Sequence, residues 1–164
     1  MNPRNHLSVL VWLVVLLVAA FAFAEDQETK IHKKDLPSAV LKSFEREFPM
    51  AKITGASHEI EDSVEYYEIE SKEGGVKRDV LYKPNGDLVV VEEVIRPGHL
   101  PTVVKDGVMK AYPKGNIKSA EKITRAGSSS YEVVLKDGKR SYELAVAADG
   151  RITETEEKTG KGKD

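Results

Sequence analysis

Beyond residue 35 the chain shows two hydrophobic rhythms, one of helical period and one of alternation. In "DLPSAVLKSFEREFP", Leu36, Val40, Leu41, Phe44 and Phe48 recur at helical spacing and form one apolar stripe. Asp35 suits the positive end of the helix dipole, and Pro37 fits a first turn. Pro49 stops the helix, because the residue before a proline avoids the α region. "HLPTVVKDGVMKAYP" writes the same helix again with Val103, Val104, Val108, Ala111 and Tyr112, and with Pro113 as its stop. Gly107 makes the second helix the weaker one, by about 1 kcal/mol of helix propensity.

Alternating segments that predict strands follow each helix. They cover 51–61, 65–71, 76–82 and 87–94 after the first helix, and 116–124, 130–136, 139–146 and 151–157 after the second. Asn85–Gly86 and Asp149–Gly150 read as type I′ hairpin turns, which need φ > 0 at both central positions.

A shift of 64 positions superimposes the two halves without a gap. Leu36 and Pro37 fall on Leu100 and Pro101, Pro49 on Pro113, Tyr67 and Glu68 on Tyr131 and Glu132, Gly74 on Gly138, and Gly86 on Gly150. The matches are turn, cap and core positions, so the repeat carries structural meaning. The predicted fold is α+β: two tandem repeats, at 35–93 and 100–157, joined by a linker at 94–99. Each repeat is one helix followed by a four-stranded antiparallel meander. A unit of this size without a disulfide is marginal alone, so the two sheets are expected to be shared or closely packed.

Alternation sorts the side chains onto two faces. Tyr67, Ile69, Val80, Tyr82 and Leu88 are expected to face the first helix, and Tyr131, Val133, Leu144, Val146 and Ile152 the second. The opposite face is expected to carry Tyr66, Glu68, Glu70, Lys77, Asp79, Leu81, Val89 and Val91, then Glu132, Val134, Ser141, Glu143, Thr153 and Thr155. That mixed, charged face is either plain solvated surface or a polar binding platform. Tyr66 is its aromatic anchor candidate, since exposed aromatics among polar neighbours are typical of interfaces.

The first residues change the compartment. Arg4, an uncharged apolar run from Leu7 to Val18, and "AAFAFAED" read as a signal peptide at 1–24, cut between Ala24 and Glu25. The run is shorter than the roughly 20 residues of a bilayer span. A retained N-terminal anchor is the alternative, but the expectation is export to periplasm or medium with no stable membrane anchor. Residues 25–34 and 158–164 are polar and are expected to be disordered. The chain has 25 basic and 27 acidic residues and no cysteine, so burial alone must stabilise it. Interspersed charge leaves no basic stripe for a phosphate backbone, which argues against nucleic acid.

Catalytic chemistry finds little support. "SHEIEDS" begins like a zinc-protease helix, but Asp62 stands where the second histidine is needed, and the segment reads as a strand. His32, His58 and His99 are scattered and read as exposed. "AGSSSYE" lacks the Gly-x-Ser-x-Gly frame of a nucleophile elbow. The adjacent acids Glu92–Glu93 and Glu156–Glu157 point to opposite faces of a strand, which disfavours a shared acid–base site. No catalytic, cofactor-binding or metal residue is assigned, and no cofactor is expected.

"LPSAVLKSFEREFPMAKI", "YYEIESKEGG" and "VLYKPNGDLV" resemble the PepSY-like, beta-lactamase-inhibitor-like domain of exported bacterial proteins. Leu36, Pro37, Phe48, Pro49, Tyr67, Glu68, Gly74, Asn85 and Gly86 carry the pattern, and Leu100, Pro101, Tyr112, Pro113, Tyr131, Glu132, Gly138, Asp149 and Gly150 carry it again. The resemblance implies an architecture like that of a secreted two-repeat inhibitor that grips a beta-lactamase with its sheet. It transfers no inhibitory residue. The expected function is a non-enzymatic, monomeric protein-binding module for an unidentified exported protein, regulating an enzyme such as a peptidase. Its candidate face is Tyr66, Glu68, Glu70, Lys77, Asp79, Glu132 and Glu143. The alternative is a small-ligand or envelope-stress protein of the same fold.

Overall fold

The computed structural model describes residues 27–158. The leader with its Ala24–Glu25 cut and all but the first residue of the 158–164 tail lie outside the described residues. In chain order the elements are β1 (Gln27–Lys30), a 3-10 turn (Lys33–Asp35), α1 (Ser38–Glu47), β2 (Lys52–Glu61), β3 (Val64–Glu73), β4 (Val76–Tyr82) and β5 (Leu88–Ile95). A second 3-10 turn (Pro97–His99), α2 (Thr102–Ala111), β6 (Asn116–Arg125), β7 (Ser128–Asp137), β8 (Arg140–Ala147) and β9 (Ile152–Lys158) follow. Each strand pairs antiparallel with its sequence neighbour, giving one sheet in the order β1 to β9. Both helices lie on the same face of it.

The strand pairing and the turns correct several expectations. Residues 27–30, placed in a disordered segment, form β1 and pair with β2 from Gln27 opposite Ile60 to Lys30 opposite Ser57. The start of the supposed linker, Val94 and Ile95, belongs to β5, which pairs with β4 on one side and β6 on the other. One strand therefore closes the first half and opens the second, and β1 stands where β5 stands relative to the helix that follows. The turns at Asn85–Gly86 and Asp149–Gly150 are not type I′. Only the glycines have positive φ, at 87° and 85°. Each glycine lies against a helix backbone: a Cβ on Gly86 would come within 2.7 Å of the Ala39 carbonyl oxygen, and one on Gly150 would strike that of Val103.

The core forms two clusters under the helices. Leu36, Val40 and Phe44 pack on Ala56, Ile69, Val80, Tyr82 and Val91; Leu100, Val104 and Val108 pack on Ala120, Tyr131, Val133, Leu135, Leu144 and Val146. Val103 and Ala111, expected on the buried stripe of α2, are exposed. Gly107 has a structural reason: a Cβ there would strike the Gly150 carbonyl of the β8–β9 turn. The equivalent residue in α1 is the buried Ser43.

Two bulges per repeat reset the alternation. Leu81 pairs with Val90 but Tyr82 pairs with Leu88, leaving Val89 as the extra residue of β5. Val91 consequently sits opposite Val80 in the core, whereas Leu88, expected there, is exposed. The same shift between Ala145 and Val146 leaves Thr153 extra and puts Thr155 opposite Leu144 on the helix side, not on the open face.

Candidate functional site

The helix-free face is the surface left to solvent. Alternation from the buried Ile69, Val80, Val133 and Leu144 puts Tyr66, Glu68, Glu70, Lys77, Asp79, Glu132 and Glu143 on it together. The strand register adds acids that sequence phasing overlooked. Glu59 lies opposite Tyr66, Glu92 opposite Asp79, and Glu121 opposite Glu132. Glu70 is itself opposite Asp79, so three carboxyls stand in one row across β3, β4 and β5. Like charges facing each other across a sheet are destabilising, so this row is not explained by stability. Gly55 allows it locally: a Cβ there would meet the Glu70 carboxyl carbon at 2.8 Å.

At the centre of the first half this face forms a depression lined by Glu59, Glu61, Glu68, Asp79, Leu81, Val90 and Glu92. Leu81 and Val90 are only 6% and 2% exposed although no helix covers them. The surrounding acidic side chains close over that apolar base.

Burial of carboxyls beside one another favours their neutral form. Burial pushes Glu68 up to about 9, and repulsion from Glu59, Asp79, Glu92 and Glu28 adds to it. Glu92 is pushed up to about 8 by burial, then by Glu121, Glu132 and Asp79, with Arg125 opposing. Burial followed by Glu143 and Glu121 takes Glu132 to about 7, against Lys158. Asp79 rises to about 6 through burial and Glu70, with Lys77 opposing. Glu59 and Glu121 also rise, chiefly through burial.

The other face holds a different polar group. Arg78, 9% exposed, donates from Nε and one terminal nitrogen to Glu93 at 3.0 and 2.8 Å and from the other to Glu73 at 3.2 Å. Its guanidinium lies 4.4 Å from the Phe48 ring centroid. These contacts pin α1 to the sheet and face the core. His58, expected to be exposed, is half-buried, 5.0 Å from the Tyr67 ring and 2.8 Å from a Glu65 oxygen. A wider groove of about 650 Å³ runs past the C-terminal end of α1 between Phe44, Phe48, Met50 and Ile53, and is open to solvent. Among the described residues no group of three or more histidine, cysteine or acidic side chains is placed to hold a metal ion, and no helix is long and apolar enough to cross a membrane.

The acids were missed for two reasons. Glu92 lies beyond the β5 bulge, so simple alternation from Leu88 assigns it to the helix side. Glu59 and Glu121 lie on β2 and β6, the first strand after each helix, to which alternation assigned no face.

The family described as "Putative beta-lactamase-inhibitor-like, PepSY-like" matches residues 22–90 and again 65–154. The chain is similar to a Bacteroides eggerthii protein called a "putative periplasmic" protein, with a TM-score of 0.63 and 13% identity over 74% of this chain and 88% of that one. It is similar to a DUF2874 family protein from Bacteroides uniformis, at 0.63 and 16% over 74% and 88%. It is also similar to a BLIP-like protein from Bacteroides fragilis, at 0.60 and 16% over 77% and 89%. These likenesses concern the fold. None of the curated proteins matches.

Proposed function

The chain belongs to the PepSY-like, beta-lactamase-inhibitor-like family, and from that premise we propose that it is an exported, non-enzymatic module that binds another exported protein through its helix-free sheet face. Such binding would regulate the target, an exported enzyme such as a peptidase being the expected class. The observation that carries this reading is the depression of the first half, where acids crowd over a buried apolar base. A face built only for solubility would spread its charges and leave them solvated. Export is supported by the leader-like residues 1–24 and by the periplasmic description of a protein of like fold. The finer architecture, a helix plus a four-stranded meander written twice, is supported by the shift of 64 positions that carries α1 onto α2 and β2 onto β6. A small-ligand reading would call for an enclosed apolar cavity, and the groove beside α1 is open.

The test is capture from envelope and culture fluid with residues 25–164 as bait, beside the same bait carrying Tyr66→Ala and Glu68→Arg. One exported protein retained by the first and lost by the second is the expected result. Equal retention by both, or none by either, contradicts the assignment of this face.

A further inference from the structure

The second half of the sheet shows what occupies an acidic site of this kind. Lys158 Nζ lies 2.7 Å from Glu143 Oε2 and 3.6 Å from Glu156 Oε2. The hydrogen bond to Glu143 is the main cause that raises the Lys158 pKa. Moved back by 64 positions, Glu143 becomes Asp79, Glu156 becomes Glu92, and Lys158 becomes Val94. The register agrees, since Glu143 faces Glu156 across β8 and β9 as Asp79 faces Glu92 across β4 and β5. The first half therefore keeps both carboxyls and lacks the ammonium.

Among the described residues nothing takes its place. Glu92 is only 8% exposed, lines the depression and makes no ion pair or side-chain hydrogen bond. Glu68 and Asp79 make none either, and Lys77 and Arg125 act on Asp79 and Glu92 only through space. A buried acid without a partner is costly unless it stays protonated or gains a cation. The depression encloses about 10 Å³, the space of one water. An ammonium head has that size, whereas a planar guanidinium needs a wider slot.

We propose that the depression formed by Glu59, Glu68, Asp79 and Glu92 receives the side-chain ammonium of a lysine on the bound protein, in the place that Lys158 fills from within the chain in the second half. The inference rests on the protein-binding reading and names the chemistry its partner presents. Seating the ammonium converts protonated carboxyls to carboxylates, so binding releases protons and tightens as pH rises from 6 to 9. The groups that share this field are Glu28 on β1, Glu59 and Glu61 on β2, Glu68 and Glu70 on β3, Lys77 and Asp79 on β4, Glu92 on β5, Glu121 and Arg125 on β6, and Glu132 on β7.

The test needs no natural partner. Hexalysine and hexaarginine are titrated calorimetrically into residues 25–164 and into the Val94→Lys and Glu92→Gln variants, with circular dichroism as the folding control. Val94 is 39% exposed, so a lysine fits there. Hexalysine is expected to bind at least fivefold tighter than hexaarginine, and Val94→Lys and Glu92→Gln are each expected to weaken it at least fivefold. Carboxyl carbon NMR on Val94→Lys is expected to show Glu92 titrating at least one pH unit lower than in the parent. Equal or tighter binding of hexaarginine, or a Val94→Lys variant that leaves both affinity and the Glu92 titration unchanged, overturns the ammonium site. Because the peptides are defined, that failure is separate from a failed capture of an exported protein.

Discussion

Glu143 and Glu156 share the ammonium of Lys158, whereas Asp79 and Glu92, at the same places in the first half, hold each other off with Glu68 beside them. The helix sides differ as well. Where Arg78 lies over Phe48 in the first half, Tyr142 lies 5.1 Å from Tyr112 in the second. One backbone design thus carries two sets of side chains: a second half neutralised and packed from within, and a first half with buried charge on one face and unpaired acid on the other. Natural sheets retain such local costs where a surface has work to do beyond folding.

Exchange of the helix-side solutions gives the largest expected effect. Arg78→Ala leaves Glu93 half-buried without its partner and uncovers Phe48, and should cost about 2–3 kcal/mol in urea unfolding, discounted for the partial exposure of both acids. Arg78→Tyr, which installs the second half's residue, should lose only about 1 kcal/mol. Equal losses would mean that the contact with Phe48 contributes nothing and that the whole effect lies in the ion pairs.

The pH dependence comes next. Glu68 titrates at about 9 and Glu92 at about 8 in the folded chain, against an ordinary 4.5. The folded state therefore binds more protons than the unfolded one between these values, so the stability these two acids contribute is full below pH 4.5 and is lost as pH rises through 8 and 9. Chemical denaturation is expected to show stability falling steadily from pH 5 to pH 9, and Glu68→Gln should remove about half of the fall. A stability that rises with pH over this range contradicts the assignment.

The smallest effect concerns a turn. Asp62 and Ser63 join β2 to β3 with φ of 48° and 65°, a region that favours glycine, and the matching pair in the second half is Ala126 and Gly127. Ser63→Gly should stabilise by about 0.5–1 kcal/mol, and Gly127→Ser should cost a similar amount, read as shifts in melting temperature.

Helices and strands were legible in the sequence because Pro37, Pro49, Pro101 and Pro113 bracket the helices and strict alternation marks the strands. What escaped reading was phase and partnership. A bulge changes no composition, yet the extra Val89 moved Val91 into the core and Glu92 onto the open face. β1 escaped because "QETK" has the polarity of a tail and becomes a strand only by pairing with β2. The candidate face was legible as a charged surface through Glu68, Glu70 and Asp79. Its depth was not, because the burial of Leu81 and Val90 under acidic side chains depends on neighbours from three other strands.

The central claim is that Glu68 and Glu92, on the first half's open face, stand without a partner and largely protonated at neutral pH. Site-resolved carboxyl carbon NMR titration of residues 25–164 tests it most directly. Midpoints for Glu68 and Glu92 near 9 and 8 are the expected result; midpoints near the ordinary 4.5 would mean a solvated, ionised surface and contradict the account.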